Sequence, residues 1–180
     1  MRVITGSARG VRLSTPDGFV TRPTTDRVKE ALFSIIQFET EDRRFLDLFA
    51  GTGQLGIEAL SRGARSCVFV DAGAPAVRLV RENLNRARLT ESARVFQSDY
   101  ERFLLSCRDP FDVILLDPPY AEKFLENALK IISEIDILSD GGIIICEKTA
   151  DKQLRGDYPG LTLQKEYRYG SSSLVLYRKG

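Results

Sequence analysis

The spacing of apolar residues changes character near residue 42. Before it lies one helical stretch: Val28, Ala31, Leu32, Ile35 and Ile36 recur at i, i+3, i+4, i+7 and i+8, which predicts an amphipathic helix. Arg22-Pro23-Thr24-Thr25-Asp26 marks its start. Pro23 blocks an earlier beginning, either threonine can cap the first turn, and Asp26 suits the positive helix end. Upstream, residues 2–5 and 11–14 can pair as a small hairpin around residues 6–10, with Thr15-Pro16-Asp17-Gly18 as the following turn.

After residue 42 short apolar runs alternate with helical periodicities. Residues 45–50 form a strand that runs into Gly51-Thr52-Gly53, followed by a helix through Ala59 and Leu60 that stops near Gly63. Residues 66–71 are a second strand. Pro75 then opens a helix with Val77, Val80, Leu84 and Ala87 on one face. Residues 93–97 are a third strand, 100–107 a short helix, and 111–117 a fourth strand with the continuous apolar run of a buried parallel strand. Phe124, Leu125, Ala128, Leu129 and Ile132 mark a further helix, and Gly141-Gly142 turns the chain into a fifth strand at 143–146. Residues 161–165 and 173–178 make a closing pair of strands with no helix between them. Repeated β-α-β units imply an α/β fold with a mostly parallel sheet covered on both faces, and ligands beyond the carboxyl ends of the strands.

A length of 180 residues fits one domain, divided here into a basic N-terminal hairpin arm, 1–22, and a Rossmann-like core with its preceding helix, 23–180. No apolar run approaches the roughly 18 residues of a membrane span, and the start, Met-Arg-Val-Ile-Thr-Gly, has no signal-peptide core; a cytoplasmic monomer is expected. Three scattered cysteines and no histidine make a metal site unexpected and remove the usual base of Ser-His and Cys-His hydrolases. Residues 1–30 carry six basic and three acidic side chains, a net +3 against −2 for the remainder. Such an arm is either a solvated charged face or a docking surface for phosphates.

Gly51-Thr52-Gly53-Gln54-Leu55-Gly56 is a G-x-G-x-x-G between strand and helix, and Asp71 ends the next strand, where a carboxylate would hold ribose hydroxyls. These features alone do not separate a nicotinamide dinucleotide from S-adenosylmethionine. Asp47 favours the second. An acid four residues before Gly51 would repel a pyrophosphate but attract a sulfonium and an ammonium group. Its alternative reading is a strand-end residue capping local amides. Asp47, Phe49, Ala50, Gly51, Thr52, Gly53 and Asp71 are therefore candidate cofactor residues. Ser98 and Asp99, after the third strand, either contact adenine or cap the next helix.

The most specific motif is Asp117-Pro118-Pro119-Tyr120, directly after the fourth strand. Two prolines stiffen the backbone and remove two N–H donors, leaving carbonyl acceptors. Asp117 and the Pro118 carbonyl can accept from an NH₂ group, and Tyr120 can stack on the ring that bears it. The chemistry this suits is methyl transfer to the exocyclic amine of an unpaired or flipped base, with these four residues as the catalytic set. The alternative is a Pro-Pro loop whose aromatic merely closes the core. Cys67 and Cys146 fall in apolar strands, Cys107 ends a short helix, and none lies in this turn, so cysteine-dependent base C5 methylation is excluded. Tyr167, Tyr169 and Tyr177 read as core or rim residues.

The stretch from Asp47 to Ala64, Arg22-Pro23-Thr24-Thr25-Asp26-Arg27-Val28-Lys29-Glu30-Ala31-Leu32-Phe33, the D-P-P-Y turn and the closing Tyr169-Gly170 with Leu174-Val175-Leu176-Tyr177 resemble the RsmD-type 16S ribosomal RNA guanine-N2 methyltransferases. The resemblance runs from Arg2 to Lys179. It implies a class I S-adenosylmethionine-dependent methyltransferase fold with a seven-stranded sheet, and a bacterial enzyme acting on one guanine of small-subunit particles. It implies cofactor contacts at Asp47, Gly51, Gly53, Asp71 and Asp99, guanine contacts at Asp117, Pro118 and Tyr120, and RNA contacts at Arg9, Arg12, Arg22 and Arg27. Thr52 and Asp71 stand where serine and glutamate are common in that family. Competing readings are an adenine-N6 or cytosine-N4 methyltransferase, a protein glutamine methyltransferase, and an RNA-binding assembly factor that keeps only the fold.

Overall fold

The computed structural model describes residues 1–16, 26–119 and 122–180, with Glu122 described by its backbone alone. Arg22, the Pro23-Thr24-Thr25 cap, Asp17-Gly18 of the expected turn and Tyr120 lie outside the described residues. Helix α1 (Asp26–Ile35) buries Val28, Leu32 and Phe33, with Ile36 just after it, while Ala31 and Ile35 are half-buried. Lys29 is also buried on this helix, a cation that apolar periodicity does not anticipate.

The alternating region follows as β1 (Arg44–Asp47), α2 (Gln54–Ser61), β2 (Ser66–Asp71), α3 (Ala74–Ala87), β3 (Ala93–Gln97), α4 (Tyr100–Ser106), β4 (Phe111–Leu116) and α5 (Glu122–Glu134). The chain closes with β5 (Leu138–Thr149), β6 (Asp157–Tyr158), β7 (Leu161–Tyr169) and β8 (Ser172–Lys179). The sheet order is β3-β2-β1-β4-β5-β8-β7-β6. The first five of these run parallel and the last three are antiparallel. Eight strands rather than seven arise because the two-residue β6 pairs on the outer edge of β7.

Strand ends differ from the apolar runs for local reasons. β1 stops at Asp47, not residue 50, although the segment after it stays tied to both neighbouring strands: Leu48 N donates to Leu115 O of β4 and Ala50 N to Val70 O of β2. β4 stops at Leu116, where two prolines without N–H groups follow. β5 begins earlier than residue 143, at Leu138, and its pairing with β4 shifts between Phe111 and Val113. Gly141 (φ +68) sits in that irregular stretch, so the glycine pair lies within the strand instead of preceding it.

Two cores flank the sheet. One packs α1, α2, α3 and the N-terminal loop through residues such as Leu32, Phe33, Ile57, Val80 and Leu84. The other packs α4 and α5 through Leu104, Ala128, Leu129 and Ile132. The expected hairpin is a single antiparallel bridge, Arg2 to Arg12, with Val3 N donating to Val11 O and Gly10 N to Val3 O. Val3, Ala8 and Leu13 are buried, so the loop is packed onto the body. Gly6 (φ +88) lies against the end of α2 so closely that a Cβ there would meet Ser61 O at 1.7 Å.

One buried carboxylate gathers these pieces. Glu58 on α2 accepts from Ile4 N (2.8 Å), Thr5 N (3.0 Å) and Arg62 Nε (2.8 Å), and it faces Lys29 Nζ at 3.7 Å. Lys29 also donates to Arg2 O at 2.7 Å, and burial pulls its pKa down. Replacing Glu58 with alanine leaves a buried ammonium and two loop amides without their acceptor. Urea unfolding of Glu58→Ala is expected to show a loss of about 3–5 kcal/mol.

Candidate active site

A cavity of about 1090 Å³ opens at the carboxyl ends of β1, β2, β4 and β5, where strand order reverses between β1 and β4. It is lined by Asp47, Phe49, Ala50, Gly51, Thr52, Asp71, Ser98, Asp99, Asp117, Pro118 and Pro119. The loop after β1 and the D-P-P turn, 70 residues apart in sequence, thus face one space. Gly53 is not part of the lining. It is buried at φ +78 as the N-cap of α2, where it accepts from Ile57 N. Arg9, Arg12 and Arg27 are exposed and none lines the cavity.

Asp47 is buried at 2% exposure, and its Oδ2 accepts from Gly56 N at 3.0 Å. The amide-capping reading therefore holds, and Asp47 also lines the cavity. Burial pushes the Asp47 carboxyl up to about 7, against the opposing pull of the Gly56 amide, and the neighbouring Asp71 adds to the rise. Gly56 itself is required by close packing, since a Cβ there would meet Phe69 Cε1 at 2.3 Å and Cys67 Sγ at 2.7 Å. Asp71 bridges two loop amides: Oδ2 accepts from Gly51 N at 2.9 Å and Oδ1 from Gly73 N at 2.8 Å. Asp99 caps α4 by accepting from Glu101 N and Arg102 N, as the capping reading expects, and it also lines the cavity.

Several lining residues escape local sequence reading. Tyr100 and Phe124 join Phe49, itself a candidate from the sequence, in an aromatic wall with ring centroids 5.2 to 6.2 Å apart. The helical spacing of Phe124 suggests core, yet the ring is 38% exposed. Met1, Ser14, Thr15 and Pro16 bring the N-terminal loop to the rim. Asn83, fully buried on α3, holds them there: its Oδ1 accepts from Ser14 N (2.7 Å), and its Nδ2 donates to Thr52 O (2.9 Å) and Ser14 O (3.1 Å). Glu147, near the carboxyl end of β5, is a further lining acid. Its signal was available, an acid directly after the apolar run 143–146, as Asp71 follows 67–70.

The described cavity carries six acids, Asp47, Asp71, Glu82, Asp99, Asp117 and Glu147, against Arg78 and Lys148. Lys148 is engaged elsewhere, donating to Glu166 Oε1 at 2.6 Å. Such a field suits a cationic ligand and opposes a pyrophosphate. Among the described residues no group of His, Cys, Asp or Glu is arranged to hold a metal ion. Nor is any helix there long and apolar enough to cross a membrane.

The family model described as conserved hypothetical protein 95 matches residues 1–178. The chain belongs to that family. It is 41% identical to a Bacillus subtilis protein named "Putative rRNA methyltransferase YlbH", over 99% of both chains. It is 32% identical to the Ribosomal RNA small subunit methyltransferase D of Escherichia coli, over 99% of this chain and 90% of that one. A solved structure described as "Putative methyltransferase yhhF from Escherichia coli" superposes with a TM-score of 0.90 at 30% identity, covering 99% of this chain and 97% of that one. These relatives bear out the resemblance to RsmD-type enzymes, and the fold is that of class I S-adenosylmethionine-dependent methyltransferases.

Asp47 gives a test with a defined sign. Its folded pKa is raised, so ionising it costs stability, and that cost grows as pH rises from about 4 to about 7. Asn at this position keeps an acceptor for Gly56 N without the charge. Thermal or urea unfolding of Asp47→Asn should show a gain of up to about 4 kcal/mol at pH 8 that vanishes near pH 4. Calorimetric titration with S-adenosylmethionine should show affinity at least about tenfold weaker for the variant at pH 8, and wild-type affinity falling as pH drops below 7.

Proposed function

We propose that this protein transfers a methyl group from S-adenosylmethionine to the exocyclic N2 of one guanine in 16S ribosomal RNA, acting as a cytoplasmic monomer on small ribosomal subunits. The observation that carries the reading is the shared cavity: a rigid, acceptor-rich D-P-P turn opens into the same space as a buried acid and a glycine loop. The residues fit the cofactor. Asp47, pushed towards its neutral form by burial, becomes an anion more readily once a cation stands beside it, Asp71 would offer its oxygens to ribose hydroxyls beside or in place of loop amides, and Ser98 and Asp99 would flank the adenine. When bound, S-adenosylmethionine supplies an electrophilic methyl group on a positively charged sulfur, which leaves as a neutral thioether.

The protein's part is positioning and charge. Asp117 and the Pro118 carbonyl are the turn's acceptors for the N2 amine and aim the nitrogen lone pair along the cavity. Pro119 holds the turn rigid, and Tyr120, the next residue in the chain, offers a ring for stacking. As the new N–C bond forms, positive charge grows on N2. Asp117 disperses it and receives the proton, directly or through water. Phe49, Tyr100 and Phe124 keep this part of the cavity apolar, which strengthens those electrostatics. Arg9, Arg12 and Arg27, on exposed positions outside the cavity, and Arg22 by its place in the sequence provide the phosphate contacts of the reading.

Labelled S-adenosylmethionine and small subunits from a strain lacking this gene test the reading, with nucleoside analysis of the product. N2-methylguanosine at a single site is expected. N6-methyladenosine would keep the mechanism and overturn the base, and no label would favour the RNA-binding factor. Asp117→Ala should lose about 100-fold or more in kcat while retaining cofactor binding.

A further inference from the structure

The strand that neighbours the D-P-P turn carries a second acid near its carboxyl end. Leu116 and Cys146 are register partners in the parallel pair β4–β5, so Asp117, just past β4, and Glu147, still paired with Leu174 of β8, stand at the same level on adjacent chain segments, roughly 5 Å apart at the backbone. Both line the cavity. Ser172 Oγ donates to Glu147 Oε1 at 3.1 Å, which fixes the orientation of the carboxylate. The neighbouring Lys148 ammonium is directed to Glu166, so the charge presented beside the turn is negative.

We propose that Glu147 is the specificity-determining residue that reads the Watson–Crick edge of the target base; this rests on the guanine-N2 reading above. Guanine presents an N1–H and an N2–H side by side, spaced to match the two oxygens of a carboxylate. Glu147 accepts this pair, and Asp117 or the Pro118 carbonyl takes the second N2 hydrogen. The amine is thereby held from both sides with its lone pair free of the ring plane. Adenine and cytosine place an unprotonated ring nitrogen at the corresponding edge, whose lone pair faces the carboxylate and is repelled. Rejection of a base without the N1–H thus comes from an acceptor left opposite an acceptor.

The test is an exchange of hydrogen-bond polarity. Glu147→Gln is nearly isosteric, still accepts from Ser172, and can donate from its amide while accepting an N2–H. The substrates are reconstituted small subunits carrying either guanine or 2-aminopurine at the methylated position; 2-aminopurine keeps the N2 amine and turns N1 into an acceptor. For wild type, guanine is expected to be preferred by about 100-fold or more in kcat/KM. In Glu147→Gln the guanine value should fall about 100-fold and the 2-aminopurine value should rise. An equal fall on both substrates, or an unchanged ratio, overturns the assignment while leaving the guanine-N2 reading intact. If wild type places no methyl on guanine N2 in native subunits, the reading itself fails and this assignment with it.

Discussion

The hydrogen bond from Gly56 N to the Asp47 carboxylate is the contact on which the site depends. It ties the end of β1 to the first turn of α2, and the intervening loop must then turn within a fixed span. That span is closed by Gly51 and Gly53 at positive φ, and by the missing Cβ of Gly56, which lets α2 lie against Cys67 and Phe69 of β2. The same bond places an acid inside the cavity at a cost in stability near neutral pH. A fold that keeps a carboxylate pushed up to about 7 in its interior is strained towards a positively charged ligand.

The N-terminal loop extends this arrangement. Glu58 grips its first residues and Asn83 grips Ser14, so the loop is fastened at two points to α2 and α3. Asn83 also holds Thr52 O, which joins the loop to the glycine turn through a single buried amide. Met1 and residues 14–16 thereby become cavity wall, while Arg9 and Arg12 stay on the outer surface. The molecule separates its charges as a result: acids line the interior, where a cation fits, and arginines face out, where phosphates would approach.

The far wall depends on strand pairing. β4 and β5 run parallel with Leu116 beside Cys146, which brings the acid of the D-P-P turn next to Glu147 near the carboxyl end of β5. β8 then supplies Ser172 to hold Glu147, so the antiparallel end of the sheet reaches the chemistry through one hydroxyl. Tyr100 and Phe124 come from α4 and α5 on the opposite face and close the space with Phe49.

Much of this was legible along the chain. β2 and β3 occupy the expected residues, because fully apolar or alternating runs bounded by turn signals leave little choice of state. The glycine loop, Asp47, Asp71 and the D-P-P turn were likewise readable, since a carboxylate or a proline pair at the end of an apolar strand is itself unusual. The sequence by itself determined the element types, the alternation that makes a parallel sheet, and the acids at the strand ends. Only the tertiary structure decided that Lys29 and Glu58 are buried partners, that Asn83 clasps two loops, that Gly53 caps a helix behind the cavity, and that Glu147 stands beside Asp117. Those decisions rest on contacts between residues far apart in sequence, which local periodicity and propensity do not encode; register and packing do.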